Sequence, residues 1–260
     1  MTTMLAMTTS NPNVLGSGGG RSAAAPSRTV DTSADNDGRL VQHQGLARTV
    51  LTGREALTLE VELGCDAAAA RSVLPTRLEL DVQADGQASV STLLFSMEQM
   101  RVKGLPTPGL AYHEVLWRLR ARHDGSPVFF AVACDLDHPL VRGLGATLIR
   151  YPVRRARFEF SESSFRASAA EGTLHLVTQP LEGSAAPVVH EPLPVFSSQG
   201  GALFQIPWEE TPTAQRSEVR LEVRDDSLAS RTMQGALRWP QRAVVMRGRR
   251  HHCGFASRQS

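Results

Sequence analysis

Tyr112–Cys134 reads YHEVLWRLRARHDGSPVFFAVAC, two strand-like runs on either side of a His123-Asp124-Gly125-Ser126 turn, and this hairpin decides the fold class. Asp-Gly at the centre of a tight turn tolerates the positive φ that a hairpin requires. The flanking runs, Tyr112–Arg122 and Val128–Cys134, carry the aromatic and branched residues that strands favour. Working outward, Glu55–Leu63 (EALTLEVEL) alternates apolar and polar residues, and Gln87–Met97 reads as another strand. Further strand-like runs lie at Arg154–Phe160, Phe165–Ala169, Thr173–Thr178 and Ser217–Val223.

Two helices are predicted among them. Asp66 stands at an N-cap position ahead of Ala67–Leu74, and Pro75 stops that helix. Asp137 is placed to cap a second helix through Ile149, with Leu140, Leu144 and Leu148 recurring along one face to pack on a sheet. Many short strands with two helices predict a mainly β, α+β fold: an antiparallel sheet or barrel with helices at its rim.

The flanks read differently. Residues 1–40 are rich in Ser, Thr, Gly, Ala, Asn and Asp and are expected to be disordered; Gly16–Gly20 has no strand–helix context for a phosphate loop. Residues 247–260 open with Arg247, Arg249, Arg250, His251, His252 and Cys253 and are expected to form a disordered basic tail. The His-His-Cys cluster lacks a second ligand group at metal-binding spacing. One domain over 41–246 remains.

Hydrophobic residues at 41% and charged residues at 21% suit a globular core, and a net charge of +2 argues against a dedicated nucleic-acid binder. No apolar run approaches the roughly 18 residues of a membrane helix, and no basic-then-apolar leader opens the chain, so a cytoplasmic location is expected. Cys65, Cys134 and Cys253 form no Cys-x-x-Cys pair and are expected to be reduced thiols. No metal and no cofactor are expected.

Asp66–Leu80 (DAAAARSVLPTRLEL), the loop Arg101–Gly109 (RVKGLPTPG), Tyr112-His113-Glu114 with Arg118, and Tyr151-Pro152 follow one another in an order that resembles the acetoacetate decarboxylases and their uncharacterised YqjF-like relatives. Ile206-Pro207-Trp208 resembles a late Pro-Trp pair of the YqjF-like group. The resemblance implies a closed or nearly closed β-barrel with a small polar pocket in its lumen, and self-association. It also implies an absence. The decarboxylases place a Schiff-base lysine directly after a proline, in a Tyr-Pro-Lys-Lys-like motif. Here the motif is Tyr151-Pro152-Val153-Arg154-Arg155. Val153 has no nucleophilic atom, and a guanidinium keeps its proton. Lys103 is the only lysine among 28 basic residues, in a Gly/Pro loop expected outside the lumen. Gly64 stands where the decarboxylases carry an arginine suited to a substrate carboxylate. Classical decarboxylation is therefore not expected.

What remains is Glu114, which matches a pocket glutamate of the family, and Arg118. The two-residue period of a strand puts Tyr112, Glu114, Leu116 and Arg118 on one face, and Val115, Trp117 and Leu119 on the other. Glu114 and Arg118 then sit about 13 Å apart along the strand, too far to pair. The expected ligand-binding set is Glu114, Arg118, Arg154 and Tyr112, with Glu114 the candidate acid or base. Glu114 reads equally as half of a structural ion pair with a neighbouring arginine such as Arg154, and Arg154 as a surface residue. His113, His138, Asp135 and Asp137 read as packed, capping or solvated groups. Three functions compete: a barrel that binds a small polar or anionic organic molecule without the lysine; a non-covalent isomerase, hydratase or hydrolase working through Glu114; and a protein that binds a partner or nucleic acid through the run Arg154, Arg155 and Arg157.

Overall fold

The computed structural model describes residues 49–106, 108–185, 193–210 and 215–259; the segment 1–40 expected to be disordered lies outside them. Nine strands close into a barrel: β1 (Thr49–Asp66), β2 (Gln87–Val102), β3 (Leu110–His123), β4 (Ser126–Leu136), β5 (Val153–Phe160), β6 (Ser164–Ala169), β7 (Gly172–Ala185), β8 (Gln215–Asp225) and β9 (Arg242–Arg247). Each pairs with the next in sequence, and β9 returns to β1 at Leu57–Glu60. The β3–β4 turn has Asp124 at φ 51 and Gly125 at φ 78, the double positive φ anticipated for Asp-Gly. One barrel pairing departs from the antiparallel expectation. β4 and β5 run parallel because a helical crossover separates them, so the barrel is mixed.

The first helix, α1 (Ala67–Val73), starts as predicted: the Asp66 carboxylate accepts from the backbone N–H groups of Ala68 and Ala69, both at 2.9 Å. The crossover, α2 (Pro139–Leu144), continues into a π-turn over Gly145–Ile149 that ends at Arg150 in the left-handed region. Its buried stripe is Val141, Gly145 and Ile149, one residue on from the expected Leu140, Leu144 and Leu148; Leu140 is 64% exposed. Asp137 does not cap α2; the N-cap position is His138, and helical structure starts at Pro139. A third helix, α3 (Ser227–Thr232), was not anticipated.

Alternation along the strands sorts the buried residues into two main cores. Leu59, Val61, Leu94, Trp117, Phe165 and Leu176 belong to one cluster that gathers side chains from all round the ring, as only the enclosed face of a closed sheet permits, and α3 adds Leu228 and Ala229 to it. The barrel interior is therefore filled mainly with apolar side chains. The other face of β1–β4 carries a second core containing Phe95, Met97, Tyr112, Leu116, Cys134, Ile149, Tyr151 and Cys253. Outer strands wrap it: Val195–Gln199 extends from β4 in parallel, Ala202–Ile206 follows it, and Arg250–Gly254 pairs with both Thr49–Arg54 of β1 and Trp208–Glu210.

The C-terminal segment corrects the sequence reading. Arg250–Gly254 is a strand and Ser257–Arg258 a shorter one, and both belong to the same compact unit as the barrel strands. His251 and Cys253 point into the second core, where both are buried, and His252 lies on the opposite face. Alternation thus separates the three residues of the His-His-Cys run. Among the described residues no group of three or more His, Cys, Asp or Glu is arranged to hold a metal, and no helix is long and apolar enough to cross a membrane.

Truncation tests this architecture. Ending the chain at Gly248 removes Cys253 and His251 and uncovers Leu51, Phe95 and Met97, and each large apolar side chain contributes about 1.5–3 kcal/mol when buried. Against a total stability of roughly 5–15 kcal/mol, the truncated chain is expected to lose its cooperative unfolding transition in a urea titration. A solvated tail would leave the midpoint unchanged.

Candidate functional site

The four residues expected to bind ligand do not form one group. Tyr112, Glu114 and Arg118 share the face predicted for them, but it is the face of the second core, across the β3 wall from the filled lumen. These three therefore lie in a polar patch on the other side of the wall from the lumen. Arg154 projects to the lumen side. Its Nε and Nη2 donate to the two oxygens of Asp135 at 2.8 and 2.6 Å, and Nη2 also donates to Thr232 Oγ1. Asp135 is fully buried and accepts from Trp117 Nε1 as well, so it is neither a cap nor solvated. Arg154 is thus an ion-pair partner, as one reading held, but of Asp135 and not of Glu114. His113 packs against Phe158 and Phe160 and bonds Asp137, as a packed histidine would.

Glu114 sits in the second core with Cys134 Sγ donating to its Oε1 at 3.1 Å. Burial pushes its carboxyl up from 4.5 to about 7; the Cys134 bond and the positive His251 oppose this, and the negative Glu55 and Asp135 add to it. Tyr112 and Tyr151 line the same space, and burial followed by nearby negative charge keeps both phenols protonated. The Tyr151 hydroxyl has no hydrogen-bond partner among the described residues. The π-turn sets its position: the Tyr151 N–H donates to the Gly145 carbonyl at 3.1 Å, and the ring leans on Trp208. Arg118 lies farther along β3. It donates through Nη2 to Ser91 Oγ at 2.7 Å, sits 3.4 Å from Glu60 Oε1, and stacks 4.3 Å over the Phe129 ring. Its Nε has no partner among the described residues, and its charge reaches Tyr151.

The sequence reading missed the other half of the patch. Register shifts on both sides of Glu55 bulge β1 and turn this carboxylate into the second core. Arg249 Nε donates to Glu55 Oε2 at 2.7 Å, His251 Nδ1 meets Oε1 at 3.1 Å, and the Thr58 hydroxyl donates to Oε2. Burial alone would raise the Glu55 carboxyl, but Arg249 and His251 outweigh it and hold it down to about 2. His251 Nε2 lies 3.0 Å from Cys253 Sγ. Burial works against the imidazolium, yet Cys253 and Glu55 raise its pKa well above the ordinary histidine range. Trp208 packs edge-on against the imidazole at 4.1 Å between centroids. The one available signal was the run His251-His252-Cys253, where alternation places the first and third residues on one face.

Lys103 stands in an exposed turn after β2, and Val153 packs against the second core beside Gly145. A separate open cleft of about 690 Å³, lined by residues such as Glu162, Thr178, Arg216 and Arg247, includes no member of the patch.

Comparison with known proteins gives this arrangement a context. The model of the family described as an uncharacterized conserved protein, DUF2071, matches residues 61–246. No curated protein matches. Among solved structures, an acetoacetate decarboxylase-like enzyme from Sphingomonas wittichii RW1 superimposes with a TM-score of 0.57 at 17% identity, covering 81% of this chain and 93% of its own. Acetoacetate decarboxylase from Legionella pneumophila gives 0.58 at 13% identity, covering 91% and 98%. The enduracididine biosynthesis enzyme MppR, in complex with pyruvate, gives 0.56 at 12% identity, covering 89% and 99%. At these identities the likeness establishes the fold.

The opposed carboxyls give a pH signature. A folded-state pKa of about 7 for Glu114 against 4.5 in the unfolded chain means that the native state holds the extra proton between those values. Stability contributed by this group therefore falls as pH rises through that window, by about 3 kcal/mol at most. Glu114→Gln is expected to flatten the decline in urea-unfolding free energy between about pH 5 and 8, so that the variant gains on the parent as pH rises. An unchanged slope would place the proton elsewhere.

Proposed function

Because the chain belongs to the DUF2071 family and folds as the acetoacetate decarboxylases do, we propose that it binds a small polar or anionic organic molecule in the second core, without Schiff-base chemistry. One observation carries the reading: Glu114, Tyr151 and Arg118 border one apolar core with protons to donate, and the Tyr151 hydroxyl and Arg118 Nε are unpartnered among the described residues. A buried polar atom without a partner costs about 1–3 kcal/mol, a cost that a ligand oxygen removes. Arg118 is suited to a carboxylate, and the neutral Glu114 and Tyr151 to a carbonyl or hydroxyl. The pyruvate complex of MppR shows such a molecule on this fold and supports a short oxo acid as the first ligand to try.

The absence of a Schiff base rests on side-chain chemistry. Val153 offers no amine, Arg154 is committed to Asp135, and Lys103 lies in an exposed turn. The Glu114 carboxyl, near neutrality, also favours a second reading as a general acid or base, since proton transfer is most effective when the pKa lies near the working pH.

Isothermal titration calorimetry against pyruvate, acetoacetate and short hydroxy acids is expected to show saturable binding by at least one of them. Arg118→Met, confirmed folded by circular dichroism, should weaken that affinity roughly tenfold or more, as befits a lost charge-assisted bond. No heat from any of these acids would overturn the reading. Borohydride treatment in the presence of acetoacetate is expected to trap no adduct, and an adduct at Lys103 would refute the non-covalent part.

A further inference from the structure

We propose that Cys253, His251 and Glu55 form a nucleophile–base–carboxylate relay in which the Cys253 sulfur adds to the carbonyl carbon of a small aldehyde or ketone. The inference goes beyond ligand binding and depends on neither Arg118 nor an anionic ligand. Its ground is geometry. Cys253 Sγ lies 3.0 Å from His251 Nε2, and His251 Nδ1 lies 3.1 Å from Glu55 Oε1, so both imidazole nitrogens are committed in the order thiol, imidazole, carboxylate. That order is the one by which a base activates a nucleophile while a third group fixes the base. Arg249 and Thr58 hold the Glu55 carboxylate, and Trp208 braces the imidazole. Strand backbone carries the relay: β1 supplies Glu55, and Arg250–Gly254 supplies the other two members from one face.

A histidine–cysteine contact in a core can be mere packing. Two observations point past that. His251 and Cys253 are 2% and 1% exposed, so their contact lies where water does not screen it. The relay also opens on the core that holds Glu114 and Tyr151, and the unpartnered Tyr151 hydroxyl is a ready donor to a carbonyl oxygen close to Cys253.

The step balances without an oxidant or reductant. With the thiol proton on His251 Nε2, the sulfur lone pair forms the S–C bond as the carbonyl π bond breaks. The developing alkoxide takes the Nε2 proton. The sum is addition of S–H across C=O to give a hemithioacetal, and its reversal releases the carbonyl compound.

The test is iodoacetamide labelling of the full chain followed by peptide mapping, with buried Cys65 and Cys134 as internal comparisons. The titratable and charged groups facing the pair are Glu55 and Arg249, Tyr112 and Glu114 from β3, Cys134 from β4, and Tyr151 after the π-turn. In the folded protein Cys253 is expected to label at least about tenfold faster than either other cysteine at about pH 6.5, with a rate nearly flat toward about pH 9, as befits a thiol activated by an imidazolium. In denaturant the three should react alike. His251→Gln should lower the rate at about pH 6.5 by roughly tenfold and restore the steep rise with pH of an ordinary thiol. Acetaldehyde should protect Cys253 from labelling, and its removal should restore reactivity. Labelling of Cys253 no faster than the others, or an ordinary thiol pH profile in the unmodified chain, overturns the relay without recourse to any variant; labelling without acetaldehyde protection overturns the carbonyl step. Loss of oxo-acid binding with Cys253 labelling intact would refute the ligand reading alone.

Discussion

Glu55 can be buried only because Arg249 and His251 arrive from the other end of the chain. A carboxylate removed from water costs several kcal/mol unless cations and hydrogen bonds replace its hydration. Here a guanidinium, an imidazole and a hydroxyl do so, in a residue that is fully buried. The bulge in β1 directs the carboxylate to the point where the chain turns at Gly248 from β9 into Arg250–Gly254, both of which pair with β1. The ion pair therefore fixes the register of the outer strand against the wall, and that strand covers the second core. Apolar burial supplies most of the energy there, but the charge constraint specifies which strand lies where.

With the cover in place, the two carboxyls of one core behave in opposite ways. Glu55 meets two cations and goes down to about 2, whereas Glu114 meets a thiol donor and apolar walls and goes up to about 7. The environments, and not the residue types, set this difference, and pairs of titratable groups driven apart in this way are how a site holds a base and an acid at one pH. The two are also linked: the fixed charge of Glu55 helps keep the proton on Glu114.

The barrel strands were legible because alternation and turn chemistry are local. EALTLEVEL, the Asp-Gly hairpin and the Asp66 cap each encode their structure within a few residues. Three features that shape the site were not legible. The bulge reverses the side on which Glu55 falls, since plain alternation would place it with Leu57 and Leu59 on the lumen face. The basic composition of Arg247–Arg250 concealed a strand whose inward residues are the next His and Cys. The stripe of α2 moved by one residue because Gly145 occupies a buried position that a search for leucines does not count. Glu114 and Arg118 were placed on the correct face of β3, but which side of the wall that face met depended on closure of the whole ring.

Alternation at the start of β5 bears most directly on the chemistry. Tyr151 and Val153 pack into the second core, whereas Arg154, one residue on, crosses to the lumen side and is held by Asp135. Arg154 therefore does not share the face of Val153, because the wall stands between it and Glu114. A reactive group facing Glu114 and Tyr151 must come from another element. The only strand that brings a thiol and an imidazole together on that face, among the described residues, is Arg250–Gly254, which Glu55 holds in place. The carboxylate that orders the outer layer is in this way the same group that holds the imidazole beside the Cys253 sulfur.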